Sequence, residues 1–249
     1  MRIKKSFIFT VLVLILVGFI AFVEKKEGER RLSDIDVYVR GIADVYFVEE
    51  KEILKAVKTE FPLLEAGVAL SEVDLQQIER KVEKHPFIKN AEVYSDLKGN
   101  IRIEVEQHQP IARIVRPMAA DGYISSEGLI LPTSPNYTSR VLILEGAYAE
   151  RLLALENLKE AEPQLLKLIE FIQKDEFWRA QITELEIQRK GDIKLHQQVG
   201  RQVIEFGDAS DIEEKFKKIN LFYEKILPAQ GWNTYHRVNV KYKDQIVCE

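Results

Sequence analysis

The sequence holds a single cysteine, Cys248, so it has no intramolecular disulfide and no multi-thiolate zinc site. Its four histidines, His85, His108, His196 and His236, lie far apart, and none has a partner at metal-ligand spacing. The GxxxxGK[ST], GxGxxG and GxSxG patterns are all missing, which removes the usual phosphate loop, dinucleotide fold and nucleophile elbow. A basic excess is missing too: 36 Lys and Arg face 40 Asp and Glu, a net charge of −4 that suits nucleic acid poorly. Pairing Cys248 with His236 as nucleophile and base would still need an oxyanion site that no residue pattern supplies. Adjacent acids such as Glu49 and Glu50 read as solvated charges at a helix start. The expectation is a chain with no enzyme activity, no metal, no cofactor, no nucleic acid and no small-molecule substrate.

What is present begins with one long apolar run. Residues 7–23 contain 17 positions without a charge. As a helix they span roughly 25 Å, a little short of a ~30 Å hydrocarbon core. Lys4, Lys5, Lys25 and Lys26 flank the run and can snorkel to the headgroups. A cleaved signal peptide has an apolar region of only ~7–15 residues and ends in small residues, whereas this run ends Ala21-Phe22-Val23. The run therefore predicts a retained membrane anchor. Basic residues stand on both sides of it, so charge counting leaves the orientation open. Without the first 23 residues the net charge deepens to −7.

After a charged linker over residues 24–33, alternation at Ile35, Val37 and Val39 predicts a strand. Ile53, Leu54 and Val57 predict a helix over Glu49–Lys58. Asp74 with Gln77 has the spacing of an N-cap for a second helix, whose inner face is Leu75, Ile78 and Val82 and which ends before Pro86. Two strands follow, around Ala91, Val93 and Ser95 and around Ile101, Ile103 and Val105, joined by a turn at Lys98-Gly99-Asn100. This βααββ unit occupies residues 34–108, and Pro110 marks the boundary to a second domain, 109–249.

In the second domain, strands are predicted at Ile111–Val115, Tyr123–Ile130, Val141–Leu144, Gln181–Gln188, Asp192–Gln198, Gln202–Phe206, Tyr235–Tyr242 and Gln245–Val247. Two helices are predicted, one opened by Pro163 and one capped by Ser210 with Glu213 and stopped by Pro228 and Gly231. The fold class is α+β: an anchor, a βααββ domain, then a strand-rich domain with two helices. A closing strand offers a sheet edge that another chain can complete, or an edge blunted by Arg237, Lys241, Lys243 and Asp244.

These parts resemble the FtsQ/DivIB family of bacterial cell-division proteins. The βααββ unit is similar to the family's POTRA domain, most specifically at Val39-Arg40-Gly41, Leu70-Ser71-Glu72-Val73-Asp74-Leu75 and His85-Pro86-Phe87-Ile88-Lys89-Asn90-Ala91-Glu92-Val93. Gln109-Pro110-Ile111-Ala112 matches the junction into the family's β domain, and Gly128-Leu129-Ile130-Leu131-Pro132 a segment within it. Lys215 and Arg237-Val238-Asn239-Val240-Lys241-Tyr242 fall where the family has a helix lysine and its final strand. The resemblance implies a non-enzymatic divisome scaffold that links early and late division proteins and recruits the FtsB/FtsL pair to the septum. It also implies a single-pass inner-membrane protein with a cytoplasmic tail (1–6), an anchor in lipid (7–23) and periplasmic domains at mid-cell. The partner-binding residues it suggests are Val238, Val240, Lys241, Tyr242, Ile246 and Val247. Two other classes compete with this reading: an outer-membrane assembly or secretion component, whose barrel 249 residues cannot hold beside the anchor, and a membrane-anchored cell-wall enzyme, for which no paired carboxylates or metal set is readable.

Overall fold

The computed structural model describes residues 12–19, 30–40, 47–118 and 120–249. Residues 12–19 are helical (α1) and expose their apolar side chains. Among the described residues no helix is long and apolar enough to cross a membrane. Most of the 7–23 run lies outside the described residues, as does Gly41. The chain divides into two compact units, one ending at Gln107 and one formed by His108–Glu249.

The first unit runs β1 (Ile35–Arg40), α2 (Glu50–Glu60), a 3₁₀ turn (Leu70–Glu72), α3 (Leu75–Glu83), β2 (Ile88–Ser95) and β3 (Ile101–Gln107). Its sheet order is β1-β3-β2, with β1 parallel and β2 antiparallel to β3. A parallel neighbour requires a long crossover, which the two helices provide. Ile53 and Val57 of α2 and Ile78 and Val82 of α3 are buried, as is the inward row Ile101, Ile103 and Val105 of β3. Asp74 caps α3, its carboxylate accepting from the Gln77 N–H at 3.0 Å. The Phe47 and Phe87 rings stack with centroids 4.7 Å apart. At the β2–β3 turn Gly99 has φ +91°, and a Cβ there would come within 2.4 Å of the Arg31 carbonyl oxygen.

The second unit is built on a nine-stranded mixed sheet of order β12-β11-β10-β9-β8-β7-β4-β5-β6. Its strands are β4 (Pro110–Ile114), β5 (Gly122–Ser125), β6 (Ile130–Leu131), β7 (Leu142–Glu145), β8 (Ile182–Ile187), β9 (Ile193–Gln197), β10 (Val203–Gly207), β11 (Arg237–Asn239) and β12 (Val247–Cys248). The predicted Tyr123–Ile130 strand is broken by a turn. There Gly128, at φ +85°, brings the backbone so close to Asn157 and Lys159 that a Cβ would sit under 3 Å from both.

Six helices, not two, accompany this sheet: α4 (Ala149–Leu152), α5 (Leu158–Ala161), α6 (Pro163–Lys174), α7 (Glu176–Gln181), α8 (Ile212–Leu221) and α9 (Leu227–Gln230). The additional ones are only four to six residues long, too short to show a 3.6-residue period, and local caps start two of them. Asn157 accepts from the Lys159 N–H and Asp175 from the Trp178 N–H. Helix α6 begins with Pro163 as predicted and buries Leu165, Leu168, Ile169 and Ile172.

The start of α8 differs from the predicted capping box. Ser210 gives its hydroxyl to Asp208 at 2.6 Å, and the helix begins after Asp211, which has a left-handed backbone. Pro228 does not stop the helix either. A proline at 228 cannot donate to the carbonyl four residues back, and the helix widens into a π turn (Phe222–Ile226) in which the Leu227 N–H reaches the Phe222 carbonyl. The backbone continues as α9 until Gly231, the other predicted stop, at φ +98°.

Candidate functional site

The suggested partner residues fall on β11, β12 and the loop between them. Strand β11 lies parallel to β10, with Ile204 opposite Val238 and Glu205 opposite Asn239. Strand β12 folds back antiparallel on β11, pairing Val238 with Cys248 and Asn239 with Val247. The sheet therefore ends at β12, and β11 is an inner strand.

Pairing fixes which backbone groups face outward. The Arg237 N–H donates to the Glu249 carbonyl at 3.0 Å, and the Glu249 N–H returns a bond to the Arg237 carbonyl at 2.9 Å. In an antiparallel ladder such bonded pairs alternate with pairs whose groups point away. Asn239 and Val247 form the next bonded pair, so the N–H and C=O of Cys248 turn away from β11.

Side chains divide differently. Val238 and Val240 are fully buried in the core of the unit. Lys241 is held locally: its Nζ lies 3.3 Å from Glu205 Oε2, and its stem covers Gly207. Glu205 also accepts from Asn239 Nδ2 at 2.8 Å and pairs with Arg237 at 3.3 Å, so three side chains of the closing segment converge on one carboxylate. Tyr242 is 52% exposed and Val247 37% exposed, while Ile246 is half-buried against the core. Lys218 of α8 fixes the loop by donating to the carbonyls of Val240 at 2.6 Å and Tyr242 at 2.8 Å. Burial pushes the Cys248 thiol up from its ordinary value, which disfavours the thiolate.

Sequence reasoning missed Glu205 and Lys218, the two residues that hold this segment in place. The only available signal was the period of two, which puts Glu205 on the outward face of β10 beside the strand to come. Among the described residues no cluster of His, Cys, Asp and Glu is placed to hold a metal ion.

Residues 109–249 match the family described as FtsQ/DivIB, C-terminal related, and residues 30–106 match a POTRA-like domain. The chain belongs to the FtsQ/DivIB family. It is 25% identical over 193 residues to a cell division protein FtsQ of Rhodothermus marinus, covering 74% of this chain and 68% of that protein. The FtsQ/DivIB match spans all nine strands of the second unit, including the β11–β12 closure. The POTRA-like match spans the β1-β3-β2 sheet and its two helices. The family is one of cell division, and the fold is α+β with a POTRA-like domain followed by a strand-rich sheet.

Proposed function

We propose that this chain is a non-enzymatic divisome scaffold whose β12 edge receives a strand from the FtsB/FtsL pair. The observation that carries the reading is the outward turn of the Cys248 backbone groups at the end of the sheet. Such an edge accepts backbone hydrogen bonds from an added strand, and neighbouring side chains supply selectivity. Tyr242 and Val247 stand exposed beside the edge, and aromatic residues are frequent interface anchors. Val238, Val240 and Lys241 act from behind: the valines set the strand on the core, and Lys241 locks to Glu205.

In this reading residues 7–23 anchor the chain in the inner membrane, with residues 1–6 cytoplasmic. The POTRA domain (34–108) and β domain (109–249) are periplasmic, and the protein concentrates at the mid-cell septum.

Two changes test the partner edge, Tyr242→Glu and removal of the chain from Gln245 onward. Co-purification of FtsB/FtsL-type coiled-coil proteins and thermal melting are measured together. Loss of the partners in both folded variants supports the proposal, with melting of Tyr242→Glu within a few degrees of the parent and a larger drop where β12 is removed. Retention of partners by both folded variants rejects it.

A further inference from the structure

The second unit has another concave feature, five strands in from the β12 edge. A cavity of about 560 Å³ opens where the end of β4, the approach to β7 and the first residues of β8 meet the end of α6 and α7. Three arginines line it, Arg113, Arg140 and Arg179, and no aspartate or glutamate does. In a chain whose net charge is −4, a cavity lined by three arginines and by no acidic residue is a sorted arrangement.

The three arginines differ in state. Arg113 is held in place: Nε and Nη2 both donate to one Asp121 oxygen, at 3.1 and 2.6 Å, and the guanidinium lies 5.7 Å from the Tyr123 ring centroid. Its Nη1 donors are not used by that pair. Arg140 and Arg179 are exposed, and among the described residues neither meets a carboxylate. The contrast is with β9 to β11, where Lys194 faces Glu186 and both Arg237 and Lys241 face Glu205. Thr138 and Gln173 add neutral donors at the cavity wall, and Ile143 and Ile182 give it an apolar side.

Guanidinium forks match the oxygens of phosphate in paired hydrogen bonds and are weakly hydrated, so converging arginines favour a phosphate group over water. The volume lies within the range of small-ligand sites, which run from roughly 300 to 1,000 Å³. We infer that this cavity binds a phosphate-bearing ligand, held by Arg140 and Arg179 and oriented by the fixed Arg113, with a compact apolar portion against Ile143 and Ile182. The site lies apart from the partner edge and does not depend on it. The same chemistry is offered by a soluble phosphate ester and by a phospholipid headgroup.

The test uses the full chain in detergent for calorimetric titration with pyrophosphate, at constant ionic strength set by chloride. A second arm measures co-flotation of the reconstituted chain's soluble face with added phosphatidylglycerol or phosphatidylcholine vesicles. Arg140→Gln with Arg179→Gln is compared with Arg189→Gln plus Lys190→Gln, which removes equal charge at the exposed β8–β9 turn. Saturable binding in either arm that weakens at least tenfold in the first pair and less than twofold in the second supports the inference, and the arm that responds identifies the source. Melting of both pairs within a few degrees of the parent shows that they are folded. Arg140→Lys with Arg179→Lys keeps the charge but loses the forks, and is expected to bind severalfold more weakly than the parent. No binding in either arm, equal weakening in both pairs, or equal affinity for an acidic glutamate peptide overturns it.

Discussion

Lys215 is 4% exposed, and its Nζ donates to both the backbone carbonyl and a carboxylate oxygen of Asp208, each at 2.8 Å. The ammonium also lies 4.8 Å from the Phe206 ring centroid, inside the apolar core beneath α8. The Asp208 side chain is 75% exposed, so the two partners are unequal. Removing the carboxylate leaves a buried charge with one carbonyl, while removing the amine leaves a hydrated carboxylate. Asp208→Ala is therefore expected to destabilise by about 1–2 kcal/mol, and Lys215→Met by less than about 1 kcal/mol. Urea unfolding of the two variants measures the order, and a larger loss in Lys215→Met would show that the charge itself holds α8.

Two carboxylates give opposite pH dependence. The hydrogen bond from Lys215, followed by that from Ser210, lowers Asp208 from an ordinary 3.8 to about 2. Its stabilising effect is complete above about pH 4 and disappears as pH falls toward 2. Glu184 is raised instead, first by burial and then by its hydrogen bond and repulsion with Glu145. Its charged form is penalised in the folded state, so its effect is absent at low pH and grows as pH rises above the usual glutamate value. Glu184→Gln is expected to raise the melting temperature at pH 8 and leave it unchanged near pH 3.5. Melting across that interval decides, and the same gain at both pH values would assign it to packing.

The outer face of α3 is less simple than its periodicity. Ile78 is 1% exposed, and Ile78→Ala is expected to cost about 2–4 kcal/mol through lost transfer and a cavity. Glu79 reads from the sequence as a solvated neighbour, for which an alanine change should stay within ~0.5 kcal/mol. In the structure its carboxylate accepts from the Val93 N–H at 3.1 Å, tying the helix to β2. Glu79→Ala is expected to cost about 1 kcal/mol, and the exposed Gln76→Ala close to none. Denaturation of the full chain followed at the POTRA-like unit ranks the three.

Local chemistry was legible where one short stretch decided the outcome. The Asp74 cap, the Pro163 helix start and the alternation of β1, β3 and β8 to β10 all belong to this class. Competition between neighbours was not legible. Ser210 and Glu213 have capping-box spacing, yet Asp208 takes the serine hydroxyl because Lys215 already holds its carboxylate there. Long-range pairing was hidden as well. Nothing local shows that β7 lies parallel between β4 and β8, or that β12 covers β11 and becomes the outer strand. The six suggested partner residues lie on β11, β12 and the loop between them, and which of them a partner could meet depends on that last strand pair.

A close backbone approach gives a further expectation. Gly146 ends β7 at φ +101°, and a Cβ there would lie 2.4 Å from the Ile187 carbonyl oxygen. The β7–β8 pair and the start of α4 meet at this point, where Glu150 N–H bonds to the Gly146 carbonyl. Gly146→Ala must strain the backbone and displace Ile187, and is expected to destabilise by more than about 2 kcal/mol. Gly191, half-buried at φ +92° with open space where a Cβ would sit, isolates the conformational part of the effect. Gly191→Ala is expected to cost about 1 kcal/mol, and equal losses at the two sites would remove the steric account.

The last expectation separates the sheet's own hydrogen bonds from those offered to a partner. Proline lacks an N–H and is tolerated in edge strands only where that N–H faces outward. Val247 stands opposite Asn239 in a bonded pair, so Val247→Pro removes a bond within the sheet. Cys248 stands opposite Val238 in the alternate position, so Cys248→Pro removes only an outward donor. Val247→Pro should lower the melting temperature of the strand-rich unit, whereas Cys248→Pro should leave it within a few degrees. If a partner strand adds to β12, Cys248→Pro should also weaken capture of the FtsB/FtsL-type proteins at least tenfold. Cys248→Ala, which keeps the N–H and removes the thiol, should bind like the parent. Undiminished capture by a folded Cys248→Pro protein would move the partner site away from this edge.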